Sequence, residues 1–375
     1  MLQKTKKNEY PARLLISPWL MSRIILDCDL MKFPHSGLYQ YCQNLGQHIN
    51  KVLTATNQPL MKMYLPRRKK LILPYEPYHL VEHKWHKLIQ PFLLDCRVWH
   101  APFQSGRILP DKKRFPYLKV VLTIHDLNVL HEGKPEHIQQ KSLAHTQSLI
   151  DQSDALVCIS EFTKNDVLTH CSTGDKPVYV IYNGVSKLPE TTGNVVAYRP
   201  TREFLLGIGY INQKKNFHVL LPLLQSNPDL ELIIIGHHDN PDYVNQMRTQ
   251  AQQLGVEKRL HLPGTVSEED KCWYLHNCKA LLHPSLAEGF GLPVIEAMQV
   301  GKPVFLSTLT SLPEVGGDAA FYFHSFEASL IQEVYSEGMK AFESLERKEA
   351  IRQNAARFDW EASARQYLSV YQSIR

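Results

Sequence analysis

The chain is predicted to be an α/β protein with two doubly wound, Rossmann-like parallel-sheet domains facing a central cleft. Short apolar runs alternate with longer amphipathic stretches, as expected when parallel strands are joined by crossover helices. The alternation lapses once, over residues 186–202, and then restarts in the same style. The chain has 375 residues, enough for two or three full cores at about 150 residues each.

In the first half, RIILDCDL (23–30) reads as the opening strand and SGLYQYCQNLGQHINKVL (36–53) as an amphipathic helix. KVVLTIHDL (119–127), ALVCIS (155–160) and VYVIYNGV (178–185) read as further strands, with a helix over 161–169 between the last two. The second half opens with strand FLLGIGY (204–210), helix FHVLLPLLQ and strand ELIIIG (231–236). Helix YVNQMRTQAQQLG, strand RLHLPG, helix EEDKCWYLHN and strand KALLHPS follow. A short helix from about Leu292 to Val300 is expected to stop at Gly301, a natural C-terminal cap, before strand KPVFLS (302–307). The expected organisation is one domain over 1–190, a linker over 191–202, a second domain over 203–357 and a C-terminal helix over 358–375. In open parallel sheets ligands sit beyond the carboxyl ends of strands, so the loops after residues 30, 124, 210, 236, 264 and 284 are expected to converge on the cleft.

Composition removes several classes. With 43% hydrophobic and 21% charged residues the chain is neither disordered nor fibrous. Its apolar runs, such as Leu232 to Ile235, fall far short of the roughly 18–20 residues of a membrane helix. The basic start MLQKTKKNEYPARLL lacks the apolar core of a secretory signal, which predicts a cytoplasmic protein. Seven cysteines, at 28, 42, 96, 158, 171, 272 and 278, form no C-x-x-C pair and are expected to be reduced core thiols. Residues 1–200 hold 26 Lys and Arg against 16 Asp and Glu, and the remainder 16 against 21. That asymmetry directs the first half toward something anionic, whether a membrane surface, a phosphate-bearing lipid or nucleic acid.

The chemistry concentrates in HPSLAEGFGLPVIEAMQVGKPV (283–304), where Glu288 and Glu296 bracket a Gly-rich turn feeding a helix. The backbone N–H groups of Gly289, Phe290, Gly291 and Leu292 are unpaired donors at the positive end of the helix dipole, suited to cradling a phosphate or diphosphate. Glu288, before the turn, would face what is attached to the distal phosphate. Glu296, about a turn into the helix, would accept from hydroxyls on the proximal side. Two carboxylates flanking an anion suit polyol recognition.

This pattern resembles the E, seven residues, E signature of retaining glycosyltransferases of family 4, which have the GT-B fold. The family's order is reproduced over roughly residues 23–371. It includes a glycine loop at His35, Ser36 and Gly37, TIHDL around His125 and Asp126, VCISEFTKND (157–166), YNGV (182–185) and KKN (214–216). PGTVSEED (263–270), the carboxylate segment, SLPEVGGDAAFYF (311–323) and FDWEASARQYLSVY (358–371) complete it. The resemblance implies that Lys215 neutralises the donor diphosphate, Glu296 binds the ribose, Glu288 holds the donor sugar and Gly37 lets a loop approach the phosphates. It places His125 beside the anomeric centre, acting through its carbonyl or imidazole, and puts Thr265 and Val266 near the base. It implies a nucleotide-sugar donor bound mainly by the 203–357 domain, an acceptor on the 1–190 domain, a 358–375 helix that crosses back onto the first domain, no metal and no cofactor. Many relatives carry an Arg where this chain has Tyr210, after Gly209; Lys214 is the available substitute, or a solvated helix-start lysine. The implied reaction is retaining transfer of a hexose, with mannose or rhamnose expected, to a glycan or lipid-linked glycan in surface polysaccharide synthesis.

Other signals compete. HLVEH (79–83) matches the H-x-x-E-H zinc pattern, which requires a helix, whereas the family context places a covering helix there without metal. DCD (27–29) imitates a D-x-D metal motif but ends a strand, where an Asp closes the turn. PLMKMYLPRRKKLILP (59–74) is either a solvated loop or an interfacial patch for an anionic membrane. Gln104 and Arg107, in WHAPFQSGR, are acceptor candidates. The rival readings are a non-catalytic scaffold binding a sugar nucleotide or glycan, and a nucleic-acid-binding module, for which no recognised motif is present. No nucleic-acid partner is expected.

Overall fold

A computed structural model describes residues 23–33, 37–66, 79–81, 83–87, 90, 93–104, 109–189 and 197–374. Its first sheet contains β1 (Ile24–Asp27), β2 (Lys62–Leu65), β3 (His79–Val81), β4 (Val98–Ala101), β5 (Lys119–Ile124), β6 (Ala155–Cys158) and β7 (Val178–Val180), in the order β3-β2-β1-β4-β5-β6-β7. The second contains β8 (Glu203–Ile208), β9 (Leu230–Ile235), β10 (Leu260–Gly264), β11 (Ala280–His283), β12 (Val304–Ser307) and β13 (Phe321–Phe323), in the order β10-β9-β8-β11-β12-β13. The strand pairs of both sheets are parallel, as the alternation of strands and helices predicts.

The helices are α1 (Gly37–Ala55), α2 (Glu136–Asp151), α3 (Glu161–His170), α4 (Leu221–Ser226), α5 (Pro241–Gln253), α6 (Glu268–Asn277), α7 (Leu292–Gln299), α8 (Leu312–Gly316), α9 (Ala328–Phe342), α10 (Leu345–Ala355) and α11 (Trp360–Ser373). Two compact units emerge. One gathers 1–123, 152–155 and 361–375; the other gathers 124–151 and 156–360.

In the second unit the strands are apolar on both faces because the sheet is covered on both sides. Leu206 pairs with Ile233 and Leu281, and Leu281 with Val304; this row enters one core cluster. Their neighbours Leu205, Leu232 and Ala280 form the adjacent row and enter another. The single helix expected over FHVLLPLLQ divides into a 3-10 turn at Phe217–Leu220 and α4, because Pro222 lacks an N–H and suits a helix start. Helix α7 ends where expected: the Lys302 N–H donates to the Ala297 carbonyl at 3.0 Å and the Gly301 N–H to Met298 at 2.9 Å.

In the first unit, α11 is tied by a buried polar network. The Tyr41 and Tyr367 hydroxyls lie 2.6 Å apart, and Thr123 Oγ1 is 3.1 Å from Tyr367 and 2.8 Å from His100 Nε2. His100 Nδ1 is 2.7 Å from the Tyr371 hydroxyl. The Asp29 N–H donates to Asp27 Oδ1 at 3.1 Å, so DCD closes a turn at the end of β1.

Two expectations need correction. Residues 79–81 form a strand rather than a covering helix, which removes the helical spacing the H-x-x-E-H pattern needs; Glu82 lies outside the described residues. The described part of the 59–74 run holds strand β2 in place of either a solvated loop or an interfacial patch. Met61, Met63, Tyr64 and Leu65 are buried around β2, so these apolar groups face the core and not a lipid surface. Residues 67–74 of that run lie outside the described residues. All seven cysteines are free thiols and six are buried. Among the described residues no helix is long and apolar enough to cross a membrane.

Candidate active site

Glu288 sits in the loop between β11 and α7, and its backbone is fixed on both sides. Its N–H donates to Thr310 Oγ1 at 2.9 Å, and its carbonyl accepts from Ser311 Oγ at 2.9 Å. Upstream, the Leu286 N–H donates to the Lys214 carbonyl at 2.8 Å, and the Ser285 carbonyl accepts from Ser307 Oγ at 2.6 Å. Thr310 has φ +54°, a left-handed conformation that a β-branched residue rarely adopts. Such strain gathers at working sites.

The Glu288 carboxylate receives two groups on one oxygen. Lys215 Nζ bonds Oε1, and His283 Nε2 lies 2.8 Å from the same atom. Burial would raise the Glu288 carboxyl, but the Lys215 charge and the His283 contact outweigh it and hold the group well below the usual carboxylate range. Burial pulls the His283 imidazole down against the attraction of Glu288, and the Lys215 charge adds to that fall. Lys215 ends a 3-10 turn at Gln213–Lys215 and stretches across Gly209, where a Cβ would stand 2.8 Å from Lys215 Cε. Only glycine at 209 leaves the lysine that route.

Glu296 lies on α7 and Lys271 on α6. Lys271 Nζ is 2.9 Å from Glu296 Oε1 and 2.8 Å from Glu268 Oε2. Burial raises the Glu296 carboxyl above its ordinary value even though Lys271 lowers it.

His125 and Asp126 follow β5. A Cβ on Gly289 would stand 2.8 Å from the His125 carbonyl oxygen and 3.0 Å from Asp126 Oδ2, so the glycine turn presses directly on this segment. That carbonyl also accepts from Thr163 Oγ1 at 3.1 Å. Lys214 Nζ is 3.1 Å from Glu132 Oε1; burial would lower the lysine, but Glu132, with Glu288 and Asp126, raises it. Burial raises Asp126, with Glu132 and Glu288 adding to the shift. His125, Asp126, Lys214, Lys215, Glu288 and the 289–292 turn thus belong to one neighbourhood of the second unit.

The other predicted residues are placed as follows. Gly291 is the N-cap of α7 and Leu292 its first residue. Phe290 is buried, its ring 6.2 Å from that of Tyr182 and 5.5 Å from that of Phe358, so its side chain belongs to the core and only its backbone is left for a ligand. Thr265 is exposed after β10, while Val266 packs against the core. Tyr210, where relatives carry Arg, is half exposed with its ring 5.9 Å from His237. Gly37 opens α1 in the first unit, where an added Cβ would meet nothing within 4 Å. Gln104 is half-buried after β4; Arg107, His35 and Ser36 lie outside the described residues. Among the described residues no three His, Cys, Asp or Glu side chains are grouped to hold a metal ion.

Sequence reasoning missed His283, Lys271 and Thr310. His283 was visible as the residue before Pro284 in HPS, but nothing in its spacing tied it to Glu288. Lys271 and Thr310 reach the site from α6 and from the loop after β12, and neither has a local pattern that marks it.

Comparison with known proteins identifies the kind of enzyme. Residues 193–358 match the family described as glycosyl transferases group 1, and residues 48–187 match Glycosyltransferase Family 4. The chain is a glycosyltransferase, its two halves matched by the group 1 and family 4 models. The transferase is 25% identical over 348 residues to O-antigen chain mannosyltransferase B of Escherichia coli, covering 85% of this chain and 84% of that one. It is 27% identical over 240 residues to the serotype-specific mannosyltransferase WbdA of Escherichia coli, covering 57% of this chain and 28% of that longer relative. In fold the transferase is similar to sucrose-phosphate synthase from Thermosynechococcus elongatus, with TM-score 0.72, 17% identity and coverage of 94% and 98%. It is also similar to Anabaena Alr3699/HepE in complex with UDP and glucose, with TM-score 0.69, 20% identity and coverage of 94% and 100%. The expected GT-B architecture is therefore present.

Proposed function

We propose that the transferase moves a hexose, with retention and without a metal, from a nucleotide sugar to a glycan or lipid-linked glycan in surface polysaccharide synthesis. The observation that carries this reading is the buried Glu288 carboxylate, ionised by Lys215 and His283, at the entrance to the α7 amides. Mannose is the favoured sugar because relatives matched along the chain are named mannosyltransferases, one of them for the O-antigen chain. A cytoplasmic location belongs to the same reading.

The chemistry asks for two things. The leaving diphosphate needs positive charge and N–H donors, which Lys215, Lys214 and the amides of 289–292 supply. The electron-poor anomeric carbon needs partial negative charge nearby, which the His125 carbonyl supplies. Glu288 orients the sugar hydroxyls and Glu296 the ribose. Lys214 takes the place of the Arg missing at Tyr210. With these cations in place, charge neutralisation in the transition state needs no metal.

The test begins with thermal-shift titration against GDP, UDP, TDP and ADP and their sugar conjugates, with and without chelator. At about 100 times Kd the expected stabilisation is about 2.7 kcal/mol. Transfer to a lipid-linked glycan is then followed by NMR of the anomeric proton. The expected product keeps the donor's anomeric configuration, and chelator has no effect. Glu288→Ala is expected to abolish transfer while the diphosphate still binds, and Lys215→Ala to weaken diphosphate binding. An inverted product, a chelator-sensitive reaction or full activity in either variant overturns the corresponding assignment; no transfer with any donor favours a binding scaffold.

A further inference from the structure

We propose that His283 is a positioning residue for sugar transfer, its Nε2–H fixing one oxygen of Glu288 so that the other is presented to the donor sugar. The inference rests on the transferase reading above. His283 is the last residue of β11 and is 0% exposed. Its Nε2 lies 2.8 Å from Glu288 Oε1, the oxygen that also takes Lys215. Among the described residues no hydrogen bond reaches Oε2. The glutamate backbone is held at both its N–H and its carbonyl, by Thr310 and Ser311. With the backbone and one oxygen fixed, the second oxygen is the only part of Glu288 left to meet a ligand.

The two partners of Oε1 do different work. Lys215 is a point charge on a flexible stem and neutralises without setting direction. It is also the group assigned to the donor diphosphate, so its hold on Glu288 is shared once a donor arrives. The imidazole is planar, fully buried and fixed by its strand, and therefore remains the constant contact. It is held at a cost. His283 Nδ1 is buried with no hydrogen-bond partner, which leaves the proton on Nε2 and an acceptor atom uncompensated. An apolar side chain would fill the same space without that loss, but it would leave Glu288 without a directional donor.

The test compares His283→Gln, whose amide nitrogen can reach the position of Nε2, with His283→Leu and His283→Asn, which cannot place a donor there. The expected result is a fall in kcat of about 10- to 100-fold for Leu and Asn, as for other small misplacements of a reacting group. Nucleoside diphosphate affinity is expected to be unchanged, with most of kcat restored by Gln. Wild-type kcat in the Leu or Asn variant overturns the proposal, as does a parallel loss of diphosphate affinity that Gln fails to repair. If the Leu variant does not fold, the Gln and Asn pair decides.

A readout independent of turnover is the 15N spectrum of the imidazole in the wild-type protein. The expected form near neutral pH is the Nε2–H tautomer, shifted by a nucleotide sugar and not by the diphosphate alone. An Nδ1–H tautomer or an imidazolium overturns the proposal. If no nucleotide sugar binds wild-type protein, the transferase reading fails, and the tautomer still decides whether His283 is a fixed donor to Glu288.

Discussion

Lys271 ends 2.9 Å from Glu296, so the carboxylate assigned to the donor ribose already holds a cation inside a buried site. Burial raises that carboxyl above its ordinary 4.5 despite the lysine. A carboxylate accepts from two hydroxyls only when ionised. Nucleoside diphosphate affinity is therefore expected to be full above the raised value and to fall as pH drops through it. Lys271→Met removes the lowering influence, so the loss should begin at higher pH. Glu296→Gln should weaken binding at neutral pH and flatten the profile. Isothermal titration from about pH 5 to pH 8 checks this; an unchanged profile in Lys271→Met contradicts it.

Gly289→Ala tests the close approach to His125. The new methyl would stand 2.8 Å from a carbonyl oxygen and 3.0 Å from the Asp126 carboxylate, both well inside ordinary contact. Backbone has to move, at a cost of about 1–3 kcal/mol. Urea denaturation should show that loss, and kcat should fall with it. A variant as stable as wild type would mean that the turn gives way freely.

Lys215→Met separates the stability of the Glu288 pair from its chemistry. The folded carboxyl lies well below its unfolded value near 4.5, so its contribution is present above that value and is lost as pH falls through the folded one. Without Lys215 the burial cost remains and its main compensation is gone, a loss of about 3 kcal/mol at neutral pH. The gap from wild type should narrow in acid, because wild type gives up the pair while protonation relieves the variant. Urea curves at neutral and acid pH measure the gap; a constant difference counts against the pairing.

Glu314 caps α3 from a distant part of the chain, accepting from the Glu161 N–H at 2.7 Å and the Phe162 N–H at 3.1 Å. Ser160 takes the Thr163 N–H at 3.1 Å. Glu314→Ala leaves two first-turn amides without that partner and should cost about 1–2 kcal/mol, with Glu314→Gln intermediate. Hydrogen exchange should rise selectively in the first turn of α3. Unchanged protection there would remove the capping role.

The parts of the fold that could be read from sequence are those specified locally. Continuous apolar runs such as ELIIIG and the cap at Gly301 carry their own geometry, and both appear where expected. Strand β2 was hidden because its apolar residues run into four consecutive cations, so the segment reads as amphipathic surface when it is interior. The site follows the same division. Glu288, the glycine turn and Glu296 lie within nine residues and could be found together, whereas His283 and Lys271 matter through contacts that only the folded chain creates. Tyr210 shows the limit from the other side: sequence reveals that an expected Arg is missing, but the neighbourhood of Lys214 shows where positive charge is held.

The buried network of Tyr41, Thr123, His100, Tyr367 and Tyr371 also bears on biosynthesis. The unit whose strands leave the ribosome first is completed by residues 361–375, which are translated after the whole of the other unit. The usual order, in which N-terminal domains finish folding first, is therefore reversed here. The second unit has every residue it needs while the first still presents three unfilled hydroxyl and imidazole positions along β4, β5 and α1. A nascent chain stalled before Tyr367 would display that open seam to chaperones and proteases, and the last helix closes it.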